Sequence, residues 1–263
     1  MKKKCVVYLQ PHFFFSTFAE EFIYTRQRMI PKIIHLCWFS DDPYPVEIKV
    51  CLDSWKRHLP DYEIKKWTYE DAKAVGCPYL LQALERRKWA FAADVVRFYA
   101  IYHYGGIYMD SDIFLYRRFD ELIPESGFAT FNECAWGKDR FGLQAAFLMG
   151  EKGNQFCKAM LDMYDKRAFI LPDGSQDLEI SPNLMLVEAE KMGYKNEDRE
   201  QHVEGLTVYP TYLLSPAKKY KRHPDAIGEH RVYGSWRKRK FGRNLEIKLK
   251  HIWHVVKYAL FHR

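Results

Sequence analysis

The segment that most constrains the fold runs from Tyr104 to Phe114 and reads YGGIYMDSDIF. Residues 88–104 before it carry apolar side chains at helical spacing, which predicts a helix. Two glycines then stop that helix, and Gly106–Met109 has the length and apolarity of a buried strand. Asp110 and Asp112 follow the strand directly. A helix that leads into a buried strand with acids at its end is typical of an α/β protein.

The rest of residues 30–236 alternates strand patterns with helix patterns. The predicted strands are KIIHLCWF, YEIKKW, AAFLM and GLTVYP, and a further helix is predicted for PVEIKVCLDSWKRHL. Ser181 and Pro182 read as the N-cap and first residue of another helix, which covers NLMLVEAEKM. This alternation predicts one domain with an open, mostly parallel, Rossmann-like central sheet.

The net charge of +7 is concentrated near the C-terminus. Residues 237–263 hold nine Lys/Arg and one Glu, so residues 1–236 are close to neutral. This argues against a body that binds nucleic acid and indicates an anionic partner for the tail. Apolar residues recur in the tail at intervals of four, three, four and four: Leu245, Leu249, Ile252, Val256 and Leu260. The pattern predicts a C-terminal amphipathic basic helix of the kind that lies on a membrane surface, although a helix packed on the domain also fits.

The chain therefore divides into an N-terminal extension (1–28), a main domain (29–236) and a basic tail (237–263). In the extension, Gln10, Pro11 and His12 interrupt the apolar stretch, which disfavours a signal peptide. Both a packed extension and a loosely ordered one fit these residues. None of the six cysteines forms a C-x-x-C pair, which favours reduced thiols and a cytoplasmic location.

Asp110 and Asp112 are placed where open α/β sheets bind ligands, at the carboxyl end of a strand. Two carboxylates there could hold Mg²⁺ or Mn²⁺, but an ordinary acidic turn has the same sequence. Asp94 and Arg97, three residues apart in apolar surroundings, also need partners. They could pair with each other or face a ligand.

Three segments together resemble glycosyltransferase family 32: IPKIIHLCWFS, SWKRHLPDYEIKKW and KWAFAADVVRFYAIYHYGGIYMDSDIF. The part AADVVRFYA…GGIYMDSD also resembles the catalytic core of the large clostridial glucosylating toxins. The resemblance extends from about Ile30 to Trp236. It implies a GT-A fold, a nucleotide diphosphate sugar donor such as a UDP-sugar, a divalent metal that is usually Mn²⁺, and transfer with retention. The implied acceptor is a saccharide or lipid-linked saccharide, in surface polysaccharide synthesis.

The resemblance also implies roles for individual residues. Trp38 would stack on the nucleobase, and Asp94 and Arg97 would hold the donor sugar. Tyr108 would lie beside the donor phosphates and ribose, and Asp110 would contact ribose and sugar. Arg97, Asp110 and Asp112 would form the catalytic group.

Asp112 would bind the metal directly. The segment HRVYGSW resembles the family pattern HHxxGSW, so His230 would contact metal or diphosphate. Ser235 and Trp236 would belong to a loop that closes over the donor and excludes water.

The chain departs from the family pattern at three places: Ser111 stands between the acids, Arg231 replaces a histidine, and Phe39-Ser40-Asp41 replaces F-G-G. Gln144 and Asn183 have two open interpretations each, as residues that face the sugar or as structural groups.

Two other functions remain open. A haloacid-dehalogenase-type phosphatase also places D-x-D after a buried strand, but no Gly-Asp dipeptide follows Asp112. A non-catalytic carbohydrate-binding protein would leave the series of acids and Arg97 unexplained. The tail adds an anionic membrane as a possible partner, with the protein peripheral on the inner face of the cell membrane.

Overall fold

The protein is described by a computed structural model that covers residues 30–134, 141–214 and 222–231, together with 249, 252, 253, 256 and 260. The N-terminal extension, Ser235 and Trp236 lie outside the described residues, as does most of the basic tail.

Strands and helices alternate along the described chain. The strands are β1 (Ile33–Cys37), β2 (Glu63–Trp67), β3 (Gly106–Met109), β4 (Ile113–Leu115), β5 (Phe128–Cys134), β6 (Phe141–Leu143), β7 (Phe147–Gly150), β8 (Gln201–Val203), β9 (Leu206–Tyr209) and β10 (Gly228–His230). The α-helices are α1 (Val46–His58), α2 (Tyr69–Ala74), α3 (Pro78–Glu85), α4 (Trp89–Tyr104), α5 (Gln155–Asp165) and α6 (Ser181–Lys191). Within residues 30–231, the strands and helices predicted from the patterns are all present. Strands β4, β5, β6, β8 and β10 and helices α2, α3 and α5 were not predicted.

The main sheet has eight strands in the order β2-β1-β3-β7-β5-β9-β8, and β6 pairs with β5. Strand β1 is parallel to β2 and β3, and β5 is parallel to β9. Strand β7 is antiparallel to both β3 and β5, so β1, β2, β3, β5 and β9 all point the same way. This confirms the mostly parallel α/β sheet. A second, two-stranded sheet joins β4 and β10.

Apolar side chains alternate between the two faces of the main sheet, as the two-residue period of a strand requires. Tyr108 and Leu148 point to the face where α3, α4, α5 and α6 pack. Ile107 and Met149 point to the other face, which α1 covers. There the buried Trp55 of α1 donates its indole N–H to the Ile113 carbonyl oxygen at 2.7 Å. This bond ties α1 to β4, next to the two acids.

The turn between α4 and β3 depends on Gly106, whose φ angle is +109°. A Cβ atom on this residue would lie 2.6 Å from the Ile33 carbonyl oxygen of β1. His35 fastens the same turn, because its Nε2 lies 2.8 Å from the Gly105 carbonyl oxygen and its Nδ1 accepts the Trp67 indole N–H at 3.3 Å. Burial lowers the pKa of His35 to about 4, so the ring is neutral and structural.

We expect Gly106→Ala to lower the free energy of unfolding by roughly 2–5 kcal/mol, because a disfavoured φ angle and a backbone clash add. Gly153 is the matched control, since its φ is +77° but a Cβ atom on it would meet no other atom within 4 Å. Gly153→Ala should cost only about 1–2 kcal/mol. Urea unfolding followed by circular dichroism measures both, and equal losses would contradict the proposed close approach of β3 to β1.

Candidate functional site

The candidate site lies at the carboxyl edge of the main sheet. Strands β1 and β3 are parallel neighbours, with His35 opposite Tyr108. Trp38 follows β1 and Asp110 follows β3, so both leave the sheet at the same edge. Trp38 donates its indole N–H to the Asp42 carbonyl oxygen at 2.9 Å, and its ring meets Tyr44 edge-on with centroids 4.7 Å apart. These contacts hold the partly exposed indole in place.

Asp110, Asp112 and His230 converge at this edge. One ligand atom from each of them lies within 4.8 Å of the other two. His230 arrives from β10, where it pairs with Ile113 of β4, the residue after Asp112. Its Nε2 lies 3.3 Å from the Asp112 Oδ1. The two strands approach so closely that a Cβ atom on Gly228 would lie 2.5 Å from the Phe114 carbonyl oxygen.

This group of three side chains fits a divalent cation. Two carboxylates supply the oxygen ligands that Mg²⁺ and Mn²⁺ prefer, and an imidazole suits the softer Mn²⁺ better. The side chains are 30% exposed for Asp110 and 13% for Asp112 and His230, so the group is reachable from one side. The sequence offered the carboxylate pair as one candidate metal site, and the resemblance assigned metal binding to Asp112 and His230. The structure brings all three side chains within reach of one position.

Arg97 joins the helix α4 to this group. Its side chain is 5% exposed and lies 2.9 Å from the Asp94 Oδ1 and 3.7 Å from the Asp110 Oδ1. It donates to the Ala145 carbonyl oxygen at 2.7 Å. Burial by itself would lower the pKa of Arg97, but Tyr108 and the two acids raise it, so the guanidinium stays charged. Asp94 and Arg97 therefore pair with each other, and Arg97 reaches Asp110 as well.

Tyr108 connects β3 to the same network. Its hydroxyl donates to the Asp110 Oδ1 at 2.6 Å, and the Arg97 guanidinium lies 4.9 Å from the centre of its ring. The hydrogen bond from the Tyr108 hydroxyl fixes the orientation of the Asp110 carboxylate.

Ser181 is a site residue that the sequence did not reveal. The N-cap of α6 is Ile180, and Ser181 is the first helical residue, so the predicted N-cap was wrong by one position. The Ser181 hydroxyl lies 2.8 Å from the Tyr164 hydroxyl and also bonds Asp94. Burial raises the pKa of the Asp94 carboxyl, and hydrogen bonds from Ser181 and the charge of Arg97 oppose that rise.

Gln144 and Asn183, the two residues with open interpretations, differ in placement. Gln144 is buried, its Oε1 accepts the Ala146 N–H at 3.0 Å, and its Nε2 lies 3.2 Å from the His230 Nδ1. Asn183 is exposed and donates to Glu179. Gln144 therefore contacts the His230 ring at Nδ1, while Nε2 of the same ring faces Asp112. Only the tertiary fold reveals this contact.

The charges around His230 favour its protonated form when no metal competes. Burial would lower its pKa, but Asp112, with smaller contributions from Glu133 and Asp110, raises it to about 9. The Glu133 Oε1 lies 4.0 Å from the His230 Nδ1. A protonated His230 ring cannot accept the hydrogen bond from Gln144. The loss of this neutral hydrogen bond, worth about 1 kcal/mol, is outweighed by the attraction between the imidazolium and the carboxylates.

This predicts a pH dependence of stability in the presence of a chelator. The pKa of His230 in the folded protein, about 9, exceeds the ordinary value of 6.5. The stabilisation that comes from its protonation is therefore complete below pH 6.5 and disappears as the pH rises through about 9. Between those limits the free energy of unfolding of the wild type should fall by about 2–3 kcal/mol more than that of His230→Gln. Urea unfolding at both limits measures this, and parallel pH profiles for the two proteins would show that the imidazole is not held by the acids.

Two carboxylates and an imidazole converge at the carboxyl edge of an α/β sheet. This arrangement defines a candidate site for a metal ion and a ligand. Residues 45–129 match the sequence model of the family described as "Glycosyltransferase sugar-binding region containing DXD motif". The matched range contains Asp94, Arg97, Tyr108, Asp110 and Asp112. This segment is thus similar to DXD-containing glycosyltransferase sugar-binding regions, which confirms the resemblance found in the sequence.

Two fungal proteins are similar to part of this chain. Inositol phosphoceramide mannosyltransferase 3 of Schizosaccharomyces pombe is 36% identical over 109 residues, which are 38% of this chain and 30% of that protein. Mannosyl phosphorylinositol ceramide synthase SUR1 of Saccharomyces cerevisiae is 34% identical over 112 residues, 39% of this chain and 28% of that protein. The chain spans less than a third of either relative.

Two solved structures are also similar to this chain. The PaToxG glycosyltransferase covers 58% of this chain and 68% of its own, with 20% identity and a TM-score of 0.44. A glycosyltransferase involved in glycosylation of the major capsid of PBCV-1 covers 83% of this chain and all of its own, with 14% identity and a TM-score of 0.45.

Proposed function

We propose that this protein is a metal-dependent, retaining glycosyltransferase with a GT-A type domain. It moves a sugar from a nucleotide diphosphate sugar, with UDP-sugars as the first candidates, to a hydroxyl of a saccharide or lipid-linked acceptor. The observation that carries the proposal is the convergence of Asp110, Asp112 and His230 at the sheet edge. Two of these residues lie inside the matched sugar-binding region.

The donor would lie across the carboxyl ends of β1 and β3. Trp38 offers an aromatic face to the nucleobase, an interaction worth about 1–3 kcal/mol per base. Asp94 and Arg97 are buried next to this edge and present an acceptor and a fork of donors to sugar hydroxyls. Tyr108 and Asp110 lie next to Arg97, where ribose and phosphates would bind.

Asp112, His230 and Asp110 would hold the cation, Mn²⁺ or Mg²⁺. When bound, the cation supplies positive charge that stabilises the departing diphosphate. With the cation bound at Nε2, the Nδ1 atom of His230 would accept a hydrogen bond from Gln144, which would orient the ring before the donor arrives. Because this arrangement is preorganised, it costs little reorganisation during the reaction.

The contacts of the acids favour a front-side reaction over a covalent intermediate. Asp94 is engaged by Arg97 and Ser181, and Asp110 accepts the Tyr108 hydroxyl. These carboxylates are therefore suited to orient hydroxyl groups and less suited to attack the anomeric carbon. Positioning of the acceptor hydroxyl beside the donor would supply most of the rate enhancement. The same engagement of Asp110 disfavours the phosphatase alternative, in which this residue is the nucleophile.

The acceptor is proposed from the relatives. One fungal relative is named an inositol phosphoceramide mannosyltransferase, and the other a mannosyl phosphorylinositol ceramide synthase. A hydroxyl on a lipid-borne headgroup or saccharide is accordingly the acceptor class proposed here, with surface polysaccharide synthesis as its setting. Mannose belongs in the donor panel with glucose and galactose.

A donor screen tests the proposal without knowledge of the acceptor. Nucleotide sugars are incubated with the protein and Mn²⁺, and slow hydrolysis and thermal stabilisation are recorded. One donor should be hydrolysed and should raise the melting temperature only when the metal is present. If no donor does either, the proposed function is wrong.

Asp112→Asn should lower the metal-dependent turnover of that donor by roughly 10²–10³-fold, because a carboxylate ligand of the cation is lost. It should also remove the stabilisation by Mn²⁺ in a thermal melt. Asp53→Asn is the control, since Asp53 is an exposed carboxylate on α1 and its loss should change neither measurement. Near-normal turnover by Asp112→Asn would remove this residue from the metal site.

Trp38→Ala should weaken nucleotide binding by about 1–3 kcal/mol, which is roughly 5–150-fold in Kd, since the stacking surface is lost. Titration calorimetry with the nucleoside diphosphate measures this directly. Trp38→Phe keeps an aromatic face and should recover most of the affinity. An unchanged Kd for the alanine variant would show that the base binds elsewhere.

A further inference from the structure

Five large apolar residues of the C-terminal tail are exposed on helical backbone. Leu249, Ile252, Trp253, Val256 and Leu260 are helical and 58, 57, 57, 49 and 71% exposed. We refer to these five residues as the tail stripe. No helix in the described part of the chain is long and apolar enough to cross a membrane.

The tail stripe occupies one side of a helix. At about 100° per residue, the five positions fall within an arc of roughly 100°. By the same spacing, Lys250 and Lys257 fall beyond one border of this arc, and Lys248 falls beyond the other. The sequence thus places basic positions on both sides of a continuous apolar face.

Single exposed apolar residues are ordinary on a protein surface, but a contiguous group of them indicates an interaction surface. Elsewhere in the described residues the exposed large apolar side chains belong to six positions: Val46, Tyr104, Leu171, Leu178, Val187 and Tyr212. These come from separate elements and loops, whereas the tail stripe lies within twelve consecutive positions.

Charge decides which partner fits the tail stripe. Residues 237–263 carry nine Lys/Arg and one Glu, so the tails of two copies repel each other. The near-neutral body offers a basic helix little attraction. An anionic phospholipid surface supplies negative charge and an apolar layer at once. Trp253 also suits that boundary, because its indole is apolar on its faces and carries a polar N–H.

We propose that the tail stripe docks on an anionic phospholipid bilayer, with its apolar side chains in the headgroup layer and the flanking basic residues among the phosphates. The protein would then be a peripheral protein of that membrane surface. Docking would also hold the domain at the surface that carries lipid-borne acceptors, a consequence that rests on the proposed function. Docking itself requires no activity, so the two proposals can fail separately.

The test is sedimentation of the full chain with vesicles of phosphatidylcholine, alone or mixed with phosphatidylglycerol. The wild type should sediment with the anionic vesicles and remain in solution with the neutral ones. Ile252→Glu/Val256→Glu should lower the partition coefficient by roughly 100-fold or more, because two apolar groups are replaced by anions. Circular dichroism and thermal melts check that the body is unchanged.

The matched control replaces two exposed apolar residues of the main domain by glutamate. Leu178 and Val187 are 59 and 51% exposed, close to the values of Ile252 and Val256. Leu178→Glu/Val187→Glu should therefore sediment like the wild type. A third variant, Lys248→Gln/Lys250→Gln/Lys257→Gln, keeps the tail stripe and should partition roughly 100-fold more weakly into anionic vesicles.

The proposal is wrong if the wild type stays in solution with anionic vesicles, or if the tail-stripe variant and the body control sediment alike. It is also wrong if sedimentation velocity without lipid shows a dimer that only the tail-stripe variant loses, since the occupant is then a second copy. Donor hydrolysis is measured on the same samples. Hydrolysis without docking removes this proposal alone, and docking without hydrolysis of any donor removes the proposed function alone.

Discussion

The buried charge of Arg97 organises the site. A guanidinium that is almost fully removed from water is tolerated only when acceptors surround it, and here Asp94, Asp110 and the Ala145 carbonyl oxygen do so. These partners come from α4, the end of β3 and the segment before β7. One side chain therefore fixes the relative positions of three elements at the edge where a ligand would bind. Removal of either acid would leave a buried cation incompletely compensated.

Close backbone approach is the second constraint on the site. Gly106 lets β3 lie against β1, and Gly228 lets β10 lie against β4. The first contact brings the acids to the same sheet edge as Trp38, and the second places His230 beside Asp112. The site thus combines one local motif with one histidine delivered by a separate two-stranded sheet. The rigidity of both contacts suits a reaction that depends on positioning.

The proposed chemistry and the proposed membrane contact are compatible with each other. A domain whose donor site is preorganised still needs to find an acceptor, and a lipid-borne acceptor is confined to a surface. The proposed docking of the basic tail would raise the local concentration of the protein at that surface without any change in the site. The two features are encoded in different parts of the sequence and use different forces, buried polar contacts in one and hydrophobic and electrostatic attraction in the other.

The sequence by itself determined the α/β class, the long helix α4, the strand that ends at the acids, and the D-x-D motif, because these depend on local periodicity and on consecutive residues. The resemblance of ordered motifs supplied candidate roles for Trp38 and His230, which no local pattern reveals. Only the tertiary structure decided that β7 runs antiparallel between β3 and β5, that His230 converges on Asp110 and Asp112, and that Gln144 and Ser181 support His230 and Asp94. Those contacts join residues far apart in the chain, and strand pairing and hydrogen bonds across such distances leave no periodic signal in the sequence.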